Sequence, residues 1–485
     1  MKKFISLLLS LLLIFGMAST AFAADENAEN TGYEYPLVIV RGINFDGLYL
    51  NYGTENEANC LASPGASEIM KLIGRLGLTF MTRKSLDVDA VIEFADGMMG
   101  SMACDSDGNS VYDVSVAEYP LAVSNYPDFI AECEGYPYNE LGVVRNAVDY
   151  YGAENTYYFS YDWRLDPSDT ADDLNTMIER AKADHDTDKV DIICCSMGGI
   201  ITDSYIYEYG TDSIHSVIFN SSTFCGTYVT TDLFRGKVLV TENMLYNMAR
   251  DNISSKFLLT VLYKLGIFKA AANLAMKIVD NHKEYIYDNL LRDIFVTMPS
   301  LWALVQHENY EECIEYMFPT DEMKAQYAGL IERADKLQEM VAVMDDLLLS
   351  LPEKGVKVAV IAAYNNQMVP VYESAVFQSD GTLESPLMLG RAVVSETGST
   401  LGDDYVAANP EKLSPDRCVD LSGVLFPEYT WALKNAGHVI GNYGSELSEF
   451  LFWLLAYDGQ PTVTTDSRYP QFIKSDANET LNYFD

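Results

Sequence analysis

The hydrophobic positions of this chain follow two alternating patterns. Short β-branched and apolar runs, typical of buried strands, occur at residues 36–40, 156–160, 190–194 and 215–220. Between them lie segments with helical spacing or composition, at residues 143–151, 170–183 and 196–209. Strands that follow one another through helical crossovers pair in parallel. We therefore predict an α/β fold with a mostly parallel sheet and helices on both faces.

The pattern changes in the second half of the chain. From about residue 230 to 352 the apolar positions have helical spacing alone, and a strand pattern returns at residues 356–363. This order indicates a helical insertion between two strands of one sheet. The predicted parts after the N-terminal segment are the first part of the core, a helical lid or cap, the second part of the core and a C-terminal tail, at residues 24–229, 230–352, 353–458 and 459–485.

The N-terminus has the pattern of a secretory signal peptide. Two lysines precede an apolar run at residues 4–17, and an Ala-Phe-Ala sequence ends at Ala23. The run is shorter than the roughly 18 to 20 residues of a membrane span, and lysines interrupt the longest later apolar stretch, residues 257–279. We predict that residues 1–23 are removed, that the remaining chain is secreted, and that it has no stable membrane span.

Charge excludes one broad class of partner. The chain has 71 Asp and Glu residues against 32 Lys and Arg residues, a formal net charge of −39. Such a surface is expected to repel nucleic acid and anionic lipid headgroups, which bind clustered cations. Hydrophobic residues make up 48% of the chain, enough for a globular core. No metal-ligand spacing is found, because the acidic turn at residues 105–109 lacks the length of an EF-hand, and no cofactor is predicted.

The strongest local motif is Cys-Cys-Ser-Met-Gly-Gly at residues 194–199, between a predicted strand and a predicted helix. It matches the nucleophile elbow G-x-S-x-G, with Cys194 in place of the first glycine. The turn is so tight that small residues must flank the serine, whose Oγ then projects above the sheet. We predict Ser196 as a nucleophile and the backbone N–H of Met197 as an oxyanion donor. The alternative is a serine that only caps the following helix.

A serine nucleophile requires a base, and the position of His438 selects it among five histidines. In proteins with this elbow the chain order is serine, acid, histidine. His438 is the histidine that follows the helical insertion, in a loop between a strand-like run and a predicted helix at residues 445–457. We therefore predict His438 as the general base.

These residues and two further segments resemble the lecithin:cholesterol acyltransferase and lysosomal phospholipase family. The YDWR sequence at residues 161–164 matches that family's segment after a strand, and residues 369–375 resemble its D-G-T-V-P-x-x-S-A stretch. The resemblance covers residues 34–220 and 355–457 in scattered blocks. It implies an α/β-hydrolase fold with a lid and an acyl-transfer site.

The same resemblance implies roles for further residues. Gly42 and Ile43 would form the oxyanion turn, with the N–H of Ile43 as the second donor, and Trp163 would line the substrate pocket. The family turn begins with Pro-Gly or His-Gly, whereas this chain has Arg41, so a cation is expected at the pocket entrance. Asp162 and Arg164 are predicted to form an ion pair beneath the site.

The third triad position departs from the family pattern. The family's catalytic Asp aligns on Asn366, just after the predicted strand at residues 356–363. Asp→Asn in a serine triad costs about 10⁴ in rate, although Cys-His-Asn enzymes use an amide. We assign Asn366 to the third position and keep Asp403 and Asp404 as alternatives. Asp380 lies well past the strand end and is assigned to a turn.

The expected function is a secreted serine hydrolase that cleaves or transfers the acyl group of a small-molecule ester or lipid through an acyl-enzyme on Ser196. Two alternatives stay open: a catalytically weak binding protein with the same fold, suggested by Asn366, and a peptidase or thioesterase. The insertion would be either a lid or an ordinary helical core. The oligomeric state is left open.

Overall fold

The computed structural model describes residues 33–44, 47–61, 71, 75, 88–252, 255–476 and 478–484. The predicted signal peptide lies outside the described residues. Among those residues the strands are β1 (Leu37–Val40), β2 (Tyr49–Leu50), β3 (Ala58–Asn59), β4 (Val114–Ser115), β5 (Thr156–Phe159), β6 (Val190–Cys195), β7 (Ile214–Asn220), β8 (Lys357–Tyr364), β9 (Val393–Val394), β10 (Val419–Asp420), β11 (Thr430–Lys434) and β12 (Phe472–Lys474).

Seven of these strands form one parallel sheet, in the order β12-β11-β8-β7-β6-β1-β5. Every residue of β1, β5, β6 and β8 is buried. Parallel strands covered by helices on both faces are apolar on both sides, which is why they appear in the sequence as continuous apolar runs. The predicted α/β class is therefore confirmed. Two small antiparallel sheets, β3-β2-β4 and β10-β9, lie outside it.

The helices are α1 (Val88–Met99), α2 (Pro127–Gly135), α3 (Asn139–Tyr151), α4 (Pro167–His185), α5 (Gly198–Tyr209), α6 (Tyr228–Phe234), α7 (Glu242–Asn252), α8 (Lys256–Lys264), α9 (Ile267–Ile286), α10 (Pro299–Ala303), α11 (Tyr310–Met317), α12 (Asp321–Gln326), α13 (Ala328–Leu349), α14 (Ser385–Met388) and α15 (Glu446–Ala456). A π-helical segment, Tyr287–Val296, continues α9. Short 3₁₀ helices occur at Gly100–Met102, Val123–Asn125, His307–Asn309, Pro352–Lys354, Glu373–Val376 and Pro410–Lys412.

The sheet separates two large apolar cores. In β1, Val38 and Val40 face one core while Leu37 and Ile39 face the other, because successive side chains of a strand point to opposite faces. Helices α4, α5 and α13 contribute to the first core, and α3 and α15 contribute to the second. The carboxyl ends of the parallel strands lie on the same side of the sheet. Gly42 follows the end of β1 there, and Ser196 follows the end of β6.

Between β7 and β8 the described residues form helices only. Part of this insertion is ordinary core: α13 places Leu337, Met340 and Met344 in the same core as Ile200 of α5. The remaining helices pack into smaller clusters of their own. The insertion therefore contains both a helix of the main core and helices that pack separately from it.

The C-terminal tail is part of the fold. It supplies β12 to the sheet edge, and Glu479, only 3% exposed, accepts hydrogen bonds from the N–H groups of Gly441 and Asn442 and from the Ser445 hydroxyl. These bonds hold the loop between β11 and α15. A buried carboxylate that satisfies three donors is costly to remove, because the donors lose their acceptor.

Replacing Glu479 with Ala is expected to lower the free energy of unfolding by about 2 kcal/mol. Urea titration followed by circular dichroism measures the change. Asp458→Ala, at an exposed acid just after the other end of α15, is the control and is expected to change stability by less than about 0.5 kcal/mol. Equal effects of the two variants would contradict a structural role for the Glu479 carboxylate.

Candidate active site

Ser196 lies in the tight connection between β6 and α5. Its backbone has φ +50°, the left-handed conformation that non-glycine residues rarely adopt. The turn is held by three backbone hydrogen bonds: Ser196 N–H donates to Asn220 O (3.2 Å), and Ser196 O accepts from Gly199 N–H (3.1 Å) and Thr223 N–H (2.9 Å). Strain of this kind persists where the surroundings fix it, and it clusters at functional sites.

The small residues around Ser196 are required by close backbone contacts. A Cβ on Gly198 would collide with the backbone oxygens of Val40 and Arg41, and a Cβ on Gly199 would overlap the Ser222 hydroxyl. Cys194, in place of the usual first glycine, is completely buried and donates its S–H toward Ile218 O (3.4 Å). The geometry therefore agrees with the tight turn predicted from the motif.

The turn after β1 packs directly against the serine. An ideal Cβ on Gly42 would lie 2.6 Å from Ser196 Cβ and 3.1 Å from its Oγ. Neither the N–H of Ile43 nor that of Met197 has a hydrogen-bond acceptor among the described residues. These two backbone donors lie in the turns that pack together around Ser196 and are available to hydrogen-bond a bound oxygen atom.

His438 is paired with Asp380. The Nδ1 of His438 lies 2.6 Å from Oδ2 of Asp380, whose side chain is fully buried, while 18% of the histidine side chain is exposed. The other carboxylate oxygen, Oδ1, accepts from the N–H groups of Thr382 and Leu383, both at 2.8 Å. An ionised carboxylate accepts only, so Nδ1 of His438 is the donor in this hydrogen bond.

The assignment of Asn366 as the partner of His438 is wrong in this structure. The Asn366 amide donates instead to the backbone oxygens of Asp380 (3.1 Å) and Ala436 (2.7 Å). The chain leaves β8, loops out, and returns so that Asn366 N–H donates to Ser379 O (2.9 Å). This return brings Asp380 back to the end of β8. The Asn366 amide therefore bridges the turn that carries Asp380 and the loop that carries His438, and it makes no contact with the imidazole itself.

The two alternatives for the third position are not supported either. Asp403 and Asp404 are both exposed, in a turn on the surface, and neither is hydrogen-bonded to His438. The turn that contains Asp380 was predicted, but not its carboxylate's contact with the histidine.

Asn220 links the serine turn to the histidine loop. Its backbone oxygen accepts from Ser196, and its side-chain amide forms two bonds to Ile440: Nδ2 donates to Ile440 O (2.6 Å) and Oδ1 accepts from Ile440 N–H (2.8 Å). Val439, between His438 and Ile440, has φ +58°, which is an outlier for a β-branched residue. One fully buried amide thus fixes both halves of the site, a role that the sequence did not indicate.

A second carboxylate approaches the serine. Glu140, in the first turn of α3, has Oε1 2.9 Å from the ideal Cβ position of Gly42, which is itself 3.1 Å from Ser196 Oγ. Burial by itself lowers the pKa of His438. The charge and hydrogen bond of Asp380, with a smaller contribution from the charge of Glu140, outweigh burial, so the pKa of His438 is raised above its ordinary value of 6.5.

The residues of the YDWR segment lie beneath the site. The predicted ion pair is confirmed: Arg164 Nη2 lies 2.6 Å from Asp162 Oδ2 with the arginine side chain fully buried. Trp163, expected to line the pocket, is 1% exposed and packs inside the main core. Arg41 is also buried rather than at an entrance, and its guanidinium donates to Tyr161 O (3.2 Å). The expected positions of Trp163 in the pocket and of Arg41 at its entrance are therefore not supported.

A cluster of metal ligands is absent from the part of the chain that the structure describes. Among those residues there is no group of three or more His, Cys, Asp or Glu side chains arranged to hold a metal ion. The groups that the structure places at the site are the serine of the strained turn, a histidine paired with a carboxylate, and two backbone N–H groups.

Comparison with known proteins assigns no family. No family model matches the chain, and no curated protein matches it. Among solved structures, a match is described as "The crystal structure of Tle4-Tli4 complex"; it has 9% sequence identity, covers 68% of this chain and 75% of the matched chain, and has a TM-score of 0.32. This similarity is too low to assign a fold family or an activity.

Proposed function

We propose that this chain is a serine hydrolase with an α/β-hydrolase fold, which cleaves or transfers the acyl group of an ester through an acyl-enzyme on Ser196. One observation carries the proposal. A strained serine at a strand-to-helix turn is tied through Asn220 to the loop of a histidine whose Nδ1 contacts a buried carboxylate. The family resemblance in the YDWR and elbow segments supports the same fold, and export through residues 1–23 remains part of the proposal.

The mechanism follows from the roles of these groups. Ser196 Oγ attacks the ester carbonyl while His438 Nε2 takes its proton, and Asp380 stabilises the resulting imidazolium. The oxygen that becomes negative accepts from the N–H groups of Met197 and Ile43. His438 then gives the proton to the leaving alcohol. Water attacks the acyl-enzyme carbonyl in hydrolysis, and a second alcohol attacks it in acyl transfer. His438 takes the proton of either nucleophile and returns it to Ser196 Oγ as the bond between the acyl carbon and Oγ breaks, which restores the free enzyme.

Asp380 also bears on the alternatives. A catalytically weak binding protein was suggested by an amide in the third triad position, and the carboxylate beside His438 removes that reason. A peptidase or a thioesterase would use the same three groups, so the substrate class rests on the resemblance to lipid acyltransferases. Rates on matched p-nitrophenyl esters, thioesters and anilides would separate these classes.

The proposal is tested by locating the activated serine. The folded protein is treated with a fluorophosphonate, digested, and examined by mass spectrometry. The expected result is one adduct, on Ser196, that disappears after heat denaturation and in Ser196→Ala. Ser221 and Ser222 are fully buried near the same turn and serve as internal controls. The absence of an adduct on folded protein, or equal labelling of several serines, would refute the proposal.

The raised pKa of His438 predicts the acid limb of the rate profile. Only neutral imidazole accepts the serine proton, so kcat/KM rises with pH through the free-enzyme pKa, which lies above 6.5. Glu140→Gln removes a negative charge that stabilises the imidazolium, so the midpoint is expected to move to lower pH. The measurement is kcat/KM for a soluble ester between pH 5 and 9.

Asp128→Asn, at an exposed acid in the first turn of α2, is the matched control and is expected to leave the midpoint in place. A Glu140→Gln midpoint that stays put or moves to higher pH would show that this carboxylate does not act on His438.

A further inference from the structure

A group of large apolar side chains is exposed on α8 and on the turn into α9. The exposed fractions are 81% for Phe257, 69% for Leu265 and 47% for Ile267, with Tyr263 and Leu258 at 45% and 39%. We call these five residues the apolar tip. Leu258 lies in the first turn of α8, and Leu265 follows the last residue of that helix. Five exposed large apolar side chains in one short stretch of chain indicate an interaction surface.

The fold does not require the apolar tip for packing. The opposite sides of the two helices already face inward: Leu259 of α8 and Phe268 and Ala272 of α9 pack in one cluster with Leu245 of α7. Tyr263 also has a packing contact, because its ring lies edge-on to that of Tyr246 with 5.1 Å between centroids. The other four side chains of the apolar tip are not part of this cluster and are exposed on the hairpin.

The charge of this hairpin is opposite to that of the rest of the chain. Helices α8 and α9 together, residues 256–286, contain five lysines against two acidic residues, whereas the whole chain has 71 acidic residues against 32 Lys and Arg residues. Both acids, Asp280 and Glu284, lie near the end of α9, after four of the lysines. Lys256, Lys264 and Lys269 are exposed beside the apolar tip. The net charge of −39 thus conceals a local cationic surface, which qualifies the expectation that the whole molecule repels anionic lipid.

Geometry distinguishes binding at a membrane surface from crossing it. No single helix among the described residues is long and apolar enough to span a bilayer, but Lys256–Lys264 and Ile267–Val296 pass that test as a pair, bent by 62°. A straight passage would place lysines in the hydrocarbon region, where charges are costly. Apolar side chains flanked by lysines instead suit the plane of the headgroups, with the ammonium groups at lipid phosphates.

We propose that the α8–α9 hairpin docks this protein on anionic lipid surfaces, inserting the apolar tip below the headgroups while Lys256, Lys264 and Lys269 bind lipid phosphates. Anionic lipid is inferred as the ligand of the hairpin from charge complementarity, because a neutral apolar partner would leave the three exposed lysines unpaired. At about 0.15 M salt the Debye length is about 8 Å. The charges of the hairpin therefore interact with the membrane surface more strongly than the acidic residues of the rest of the protein do, because those residues lie farther away.

Vesicle co-sedimentation tests the proposal independently of catalysis. The full chain with Ser196→Ala is mixed at 0.15 M salt with vesicles of phosphatidylcholine alone or with 30% phosphatidylglycerol. The partition coefficient is expected to be higher on the anionic vesicles. Each lysine contributes about fivefold, so Lys264→Gln with Lys269→Gln is expected to lower it about 25-fold on anionic vesicles and much less on neutral ones.

The apolar contribution is tested with Phe257→Ser and Leu265→Ser together, expected to lower partitioning at least tenfold on both vesicles. Val406→Ser, at an exposed apolar residue outside the hairpin (86% exposed), and Lys354→Gln, at an exposed lysine, are the matched controls and should bind as the parent does. All variants share the same N-terminus, so residues 1–32 contribute equally.

Several results would overturn the docking proposal: equal binding by parent and hairpin variants, equal losses in the control variants, or concentration-dependent self-association through the apolar tip without vesicle binding. Hydrolysis of a soluble ester by the Phe257/Leu265 variant should equal that of the wild type. This measurement separates failure of docking from failure of the proposed catalytic function.

Discussion

Asp380→Asn is expected to lower kcat for ester hydrolysis by about 10⁴. Asp380 Oδ2 lies 2.6 Å from His438 Nδ1, and its other oxygen is held by the N–H groups of Thr382 and Leu383. An asparagine that keeps its oxygen on those two N–H groups turns its NH₂ toward Nδ1. The histidine is then held in the tautomer with its proton on Nε2, where it cannot accept the serine proton. The loss of charge also destabilises the imidazolium.

The comparison that decides the third triad member is with Asn366→Ala. This variant removes one hydrogen bond to the acid turn, at Asp380 O, and one to the loop that carries His438, at Ala436 O, so it is expected to lower kcat by about tenfold and to be less stable. Asp403→Asn and Asp404→Asn are expected to keep wild-type rates. Initial rates on a p-nitrophenyl ester and the rate of fluorophosphonate labelling are the two measurements. A larger loss in Asn366→Ala than in Asp380→Asn would reverse the assignment.

The order of strands and helices could be predicted because local pattern and tertiary position agree in a parallel sheet. Residues 190–194 were predicted as a strand and form most of β6 (Val190–Cys195). The predicted helix boundaries were less accurate where a capping residue determines the first residue of the helix. Helix α4 begins at Pro167 with Asp166 as its N-cap, accepting from Ser168 N–H, whereas helical spacing alone places the start at residue 170. Proline at the first position stabilises that earlier start.

The nucleophile and the base were predictable for a different reason. Ser196 lies in a contiguous motif whose small residues are imposed by the backbone, and His438 follows from chain order. Asp380, the acid, lies in a different segment of the chain from both Ser196 and His438. Asp380 is 14 residues beyond Asn366 and returns to the strand end only because Asn366 N–H and Ser379 O pair. The Ser-Asp-Gly-Thr sequence at residues 379–382 resembles the start of the family's D-G-T-V-P-x-x-S-A stretch. This local resemblance was the one sequence feature that pointed to Asp380.

The amino-acid sequence alone does not indicate that Asn220 or Glu140 lies at the site. Asn220 ends a strand, and the Ile440 that it binds is 220 residues away. Glu140 opens a helix, where an acidic residue is ordinary because it complements the helix dipole. Their approach to the site depends on how α3 and the histidine loop pack on the sheet edge, a long-range property that periodicity does not contain.

Gly42→Ala is expected to lower kcat by about 10³, the cost of losing an oxyanion donor. The added Cβ would lie 2.6 Å from Ser196 Cβ, 2.9 Å from Glu140 Oε1 and 3.1 Å from Ser196 Oγ. Glu140 can move aside, but Ser196 Cβ is fixed by the strained turn. The loop after β1 must therefore retreat, and the N–H of Ile43 moves away from the carbonyl oxygen that it stabilises.

The loss in Gly42→Ala should be in kcat rather than in folding, because the loop can shift without disturbing β1, which stays paired to β5 and β6. Gly97→Ala, in α1 with open space around the added methyl group, controls for the substitution itself and is expected to keep wild-type kcat. Thermal unfolding followed by circular dichroism verifies that both variants fold. If folded Gly42→Ala retained more than about a tenth of wild-type kcat, the Ile43 N–H would not be an oxyanion donor, and Met197 would supply that stabilisation without it.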